Sequence, residues 1–95
     1  TTNAITVQTH TKTLSIIAGA GSTDLNTING GYDGQIITLS TDNSPNDVAL
    51  KSQVDNIWLD GNVDFTLSYP FDTITLMRKT FGSTVWVEVS RANVF

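Results

Sequence analysis

The sequence predicts a small all-β domain, and three observations carry that expectation. Apolar residues fall in short runs that alternate with Thr, Ser and Gln. Glycines punctuate the runs, and no window of helical length shows apolar residues at i, i+3, i+4 and i+7. The expected architecture is a small antiparallel β-sandwich of jelly-roll type or a short β-prism, assembled as a trimer.

The strands can be placed in order. Ala4 to Thr9 alternates Ile5 and Val7 with Thr and Gln, and Thr13 to Ala18 carries Leu14, Ile16 and Ile17. Asp24 to Asn29 is the one segment that could form a helical turn, with Asp24 as its cap. The stretch D-L-N-T-I-N-G-G-Y-D-G-Q-I-I-T-L then sets a glycine-rich reversal, shaped by Gly30, Gly31 and Gly34, before a strand from Gln35 to Ser40. Further strands are expected over Asp47 to Lys51, Asn56 to Leu59, Asp64 to Leu67, Thr73 to Arg78 and Thr84 to Val89, with a turn at Asp60-Gly61-Asn62. Pro45 and Pro70 lie between runs and interrupt none of them.

Leu39, Leu50, Leu59, Leu67 and Leu76 recur at short, similar intervals. Serial strands of a sandwich and the coils of a short β-solenoid both produce such spacing. The expected core is Ile28, Ile36, Leu39, Ile57, Leu59, Phe65, Leu67, Ile74 and Leu76. The last strand places Val85, Val87 and Val89 on one face and Trp86 with Glu88 on the other, so one of these faces is the drier.

Composition narrows the function. Ninety-five residues make one domain, spanning residues 1–95, whose margin of stability is thin. With no Cys and one His, neither a disulfide nor a zinc centre can reinforce it, which leaves self-association as the remaining device. A net charge of −4 with five Lys and Arg argues against nucleic acid, and no apolar stretch reaches membrane-spanning length. The opening T-T-N, without Met, reads as a fragment or processed product of a longer chain.

No catalytic, cofactor-binding or metal-binding residues are expected. His10, in T-H-T-K-T, reads as solvent-exposed, and no Ser stands in a G-x-S-x-G context. Most of the Asp residues sit beside Gly, Asn, Ser or Pro, where carboxylates cap turns. D-N-S-P-N-D (Asp42 to Asp47) is rich in oxygen ligands but lacks the central Gly and closing Glu of a calcium-binding EF-hand. G-A-G-S (Gly19 to Ser22) lacks the Lys and helix of a phosphate loop.

Three stretches together resemble a known pattern: T-I-N-G-G-x-D-G, N-I-x-L-x-G-x-x-D-F-x-L and W-x-E-x-S-R. They are similar to a C-terminal module of bacteriophage tail fibres, tailspikes and related appendage proteins, and the similarity runs from the first strand to Asn93. The resemblance implies a non-enzymatic β-rich distal domain that forms homotrimers and stabilises the end of a fibre. It also implies a virion protein assembled in the host cytoplasm, beside the receptor-binding surface. The chain departs from the pattern at Trp58, at Tyr69-Pro70-Phe71 and at its V-F terminus, where more polar residues are expected.

Trp58, Phe81 and Trp86 are the candidate intersubunit contacts. Trp58, Asp60 and Asn62 form an alternative group for a host polysaccharide or receptor, because sugars stack on exposed aromatic faces beside amide and carboxylate groups. A phage head decoration protein or head fibre is a further structural alternative. The partners expected are thus other copies of the chain and a host receptor or polysaccharide, with neither nucleic acid nor membrane insertion.

Overall fold

A computed structural model describes residues 3–16, 23–41, 47–69 and 71–93. The chain is all-β, as expected. Its strands are β1 (Ala4–Val7), β2 (Thr13–Ile16), β3 (Thr23–Leu25), β4 (Thr27–Gly30), β5 (Ile36–Thr41), β6 (Val48–Leu50), β7 (Ile57–Trp58), β8 (Phe65–Leu67), β9 (Thr73–Phe81) and β10 (Ser83–Ala92), with a short 3-10 turn at Asp60–Asn62. Every strand expected from alternation is present. Two were not expected: β3 and β4 occupy the segment that the sequence allows as a helical turn. Leu25 and Ile28 both turn into the core, and the Thr-rich backbone around them is held extended by pairing to β6 and β1.

The strands form three sheets, ordered β1-β4, β2-β5-β9-β10-β7 and β3-β6-β8. Pairing is mixed, with a strong parallel component, where alternation had suggested an antiparallel sandwich. β1 runs parallel to β4, β2 to β5 and β3 to β6. The chain therefore visits the three sheets twice in the same order. Ala4 pairs with Thr27, Thr13 with Thr38 and Thr23 with Val48, so partners lie 23, 25 and 25 residues apart. These are two stacked coils of a three-sided β-solenoid. The chain then doubles back: β8 adds to β6 and β9 to β5 in antiparallel sense, β10 forms a hairpin with β9, and β7 lies parallel to β10 at the sheet edge.

One apolar core fills the space between the sheets. Val7, Leu25, Ile28, Ile37, Leu39, Val48, Leu50, Ile57, Leu59, Phe65, Leu67, Ile74, Leu76 and Trp86 make up this cluster, drawn from all three sheets. Eight of the nine expected core residues belong to it. Ile36 does not, being 48% exposed. Strand β5 directs Ile37, Leu39 and Thr41 inward, so period-two geometry sends Ile36, Thr38 and Ser40 outward.

The corners explain the glycine cluster. Gly30 pairs with Val7 in the coil above at φ +85°, and a Cβ on it would lie 2.3 Å from the Val7 carbonyl oxygen. Gly31, also at positive φ, is hemmed in by Gln35 Oε1 and the Trp86 ring. Gln35 itself is buried. Its Nε2 donates to the carbonyls of Gln8 (2.8 Å) and Thr11 (2.9 Å), and its Oε1 accepts from the Tyr32 N–H. One side chain thus ties the corner of the first coil to the corner of the second.

The two ends of the solenoid differ. At the end where the chain doubles back, Asn56 closes the edge of β4: its Oδ1 accepts from the Ile28 N–H and its Nδ2 donates to the Ile28 carbonyl. The Asn56 carbonyl in turn accepts from the Trp86 N–H. At the other end, β1, β2 and β3 are all edge strands.

Candidate interaction surface

Among the described residues, the outer face of the five-stranded sheet carries an apolar row that the fold leaves open. Strand register places Ile36 beside Met77, Met77 beside Val87 and Val87 beside Trp58. These four side chains form an apolar row across β5, β9, β10 and β7. Met77 and Val87 are half-buried, while Ile36 and Trp58 at the two ends are 48% and 47% exposed. Thr38 and Thr75 flank the row and share a hydroxyl hydrogen bond.

The last strand settles which of its faces is dry. Trp86 is fully buried in the core, opposite Ile57, whereas on the valine face Val85 is covered, Val87 half-buried and Val89 exposed. Trp86 is therefore a core residue and has no surface to offer a second subunit, contrary to its expected role as an intersubunit contact. Phe81 is 95% exposed at the tip of the β9–β10 hairpin, beyond the apolar row. Of the three aromatic contact candidates, Trp58 alone lies in the row.

The three residues of the candidate sugar group lie close together in the chain and are exposed. Trp58 ends β7, and Asp60 and Asn62 form the 3-10 turn just after it, with Gly61 and Asn62 at positive φ. Glu88 holds this turn by accepting from the Asp60 N–H at 2.9 Å. Glu88 also accepts two hydrogen bonds from Arg91, whose guanidinium lies 4.4 Å from the centroid of the Phe65 ring. The Arg91 hydrogen bond, helped by that from the Asp60 backbone, holds the Glu88 carboxyl below its ordinary range.

His10 is exposed at the first corner. With Thr9, Thr11, Lys12, Tyr32 and Ile36 it borders an open depression of about 490 Å³ between the two coil corners. Several carboxylates have structural partners. Asp33 accepts from Arg78 and Thr80, Asp55 from Thr27, and the buried Asp72 from the N–H groups of Ser68 and Tyr69. Asp64 accepts from the Ser52 N–H and pairs with Lys51 at 2.8 Å, and the Lys51 hydrogen bond lowers its pKa. Among the described residues, no group of three or more His, Cys, Asp or Glu side chains is placed to hold a metal ion. The oxygen-rich loop at Asp42 to Asn46 and the Gly19 to Ser22 segment lie outside the described residues.

Sequence reasoning missed Ile36, Met77 and Val87 as a surface and Gln35 as a corner tie. Each strand announces its own two faces, but only the register across four strands aligns these apolar residues. For Gln35, the available cue was a long polar side chain between a glycine turn and an apolar run. Comparison with protein-family models, with curated proteins and with solved structures finds no significant match for this chain.

Proposed function

We propose that this chain is a non-enzymatic structural module of a phage-type fibre or spike, which associates with copies of itself to stabilise the distal end of the appendage. The supporting observation is the apolar row Ile36–Met77–Val87–Trp58 on the outside of an otherwise Thr- and Ser-rich sheet. Fully burying a large apolar side chain contributes about 1.5–3 kcal/mol, so even partial burial of four of them per subunit is substantial for a domain this small. The number of copies, three, comes from the resemblance to phage appendage modules. The row supplies a surface for them to share.

Sedimentation equilibrium at micromolar concentration tests this reading. The expected mass is three times the 10.3 kDa of the chain, and Met77→Asp or Trp58→Asp returns it to a folded monomer. A wild-type chain that stays at 10.3 kDa across that range sinks the proposal.

A second reading is favoured by one observation: Trp58 is half-exposed directly before the exposed Asp60–Asn62 turn, as a sugar-stacking site requires. The module would then present a receptor-binding or carbohydrate-binding tip. Binding to immobilised host-type polysaccharides that Trp58→Ala abolishes, with the oligomer intact, selects this reading.

A further inference from the structure

We infer that the first coil is an axial docking edge, built to take one more coil of a three-sided β-solenoid on β1, β2 and β3. This inference does not depend on lateral self-association. Three independent observations support it.

The first is topological. β1, β2 and β3 are edge strands of three different sheets, and they belong to the same coil. All three sheets therefore open at the same end. An edge strand offers unpaired N–H and C=O groups, and proteins that leave one permanently bare guard it with shortness, edge charge, proline, a bulge or inward charge, of which these strands use shortness and the single Asp24. β1 (AITV), β2 (TLSI) and β3 (TDL) carry no proline; their one charged residue, Asp24, points to solvent.

The second is the state of the core. Inward residues of the second coil, among them Ile28, Ile37, Leu39, Val48 and Leu50, are fully buried. Among the described residues of the first coil, Val7 and Leu25 are buried, but Ile5 and Leu14 pack on the core only partly covered. The core is thus thinnest over the open edges.

The third is the contrast with the opposite end. There the chain doubles back, and Asn56 satisfies both backbone groups of Ile28 with a side-chain amide. One end is closed by a dedicated residue; the other is built like the middle of a stack.

The occupant follows from the geometry between the existing coils. It is a coil of 23–25 residues running parallel to the first, which sets extended backbone against β1, β2 and β3 and apolar side chains over Ile5 and Leu14.

Amide hydrogen exchange on extended chains tests this. One extension carries a copy of residues 4–26 ahead of Ala4, and another a copy of residues 27–50 ahead of Asn3. In the unextended chain, alternate amides of β1, β2 and β3 exchange rapidly at every protein concentration. In at least one extended chain they slow by about tenfold or more and the melting temperature rises. Ile5→Lys in that extended chain abolishes the protection while leaving the unextended chain folded. The inference is overturned if both extensions leave those amides fast. It is equally overturned if the unextended chain protects them in a concentration-dependent way, because a second copy is then the occupant. The exchange readout is separate from subunit mass, so axial docking and lateral association can fail independently.

Discussion

The side-chain amide of Asn56 bonds to Ile28 as a neighbouring strand would, accepting from its N–H at 2.9 Å and donating to its carbonyl at 2.7 Å. Ile28 is itself buried, so losing the amide strands two backbone groups with little access to water. Asn56→Ala is expected to destabilise the domain by about 2–4 kcal/mol. Asn56→Asp keeps the acceptor but turns a carboxylate oxygen toward the Ile28 carbonyl, so it is expected to cost at least as much as the alanine change. Urea denaturation midpoints at constant m-value order the three proteins; an alanine variant within 0.5 kcal/mol of wild type (about the scatter of surface substitutions) contradicts the capping role.

The glycine corner gives a graded prediction. Gly30, Gly31 and Gly34 all have positive φ, but their surroundings differ. A methyl at Gly34 meets nothing within 4 Å, so Gly34→Ala costs only the backbone strain of about 1–2 kcal/mol. At Gly30 the same methyl collides with the Val7 carbonyl, a backbone atom that cannot move without parting the coils. Gly30→Ala is therefore expected to cost more than Gly34→Ala by at least about 2 kcal/mol or to prevent folding. Equal costs at the two sites, measured by urea or thermal unfolding, rule out close stacking of Val7 on Gly30.

Local pattern made the fold class and most strands legible, because alternation and glycine placement report strand faces and turns directly. It misled at β3 and β4. D-L-N-T-I-N carries a helix-capping Asp, and only the parallel partners β6 and β1, distant in sequence, hold it extended. The alternation of Leu39 with Thr and Ser placed that residue in the core, but the pair Ile36-Ile37 cannot say which isoleucine faces in. That depends on whether β5 keeps phase with Leu39, and it does. Trp86 was misread for a similar reason. Both faces of V-W-V-E-V are apolar enough to be core, and the neighbour that decides is Ile57, whose pairing no local signal reveals. The apolar row is the product of three registers, so it becomes visible only in the folded chain.

Opposite fates are expected for two aromatics that looked alike in sequence. Trp86 fills the core against Ile57 and the Gly31 corner, so Trp86→Ala is expected to cost about 3–5 kcal/mol and to unfold a marginal domain at modest temperature. Phe81→Ala removes a ring that is almost entirely in water and should change the stability of the isolated chain by less than about 0.5 kcal/mol. Thermal unfolding of the two variants decides it, and a large loss at Phe81 with none at Trp86 would reverse the assignment of inner and outer faces.

Acid stability should report on Glu88. Its carboxyl is held below the ordinary glutamate value of 4.5, first by Arg91 and then by the Asp60 backbone N–H. A carboxyl whose pKa is depressed on folding binds fewer protons folded than unfolded. It therefore stabilises the fold fully above 4.5 and loses that contribution as pH falls through the depressed folded value. Asp64 shifts in the same direction through Lys51, but both partners lie in solvent and their pair is screened. The unfolding midpoint is thus expected to be flat from pH 8 to about 5 and to drop below that. Glu88→Gln should lower the plateau and flatten the acid limb, whereas Asp64→Asn should leave the limb nearly as steep as in the parent chain. An acid limb that is indifferent to Glu88→Gln would mean that the Arg91–Glu88–Asp60 cluster does not carry the pH dependence.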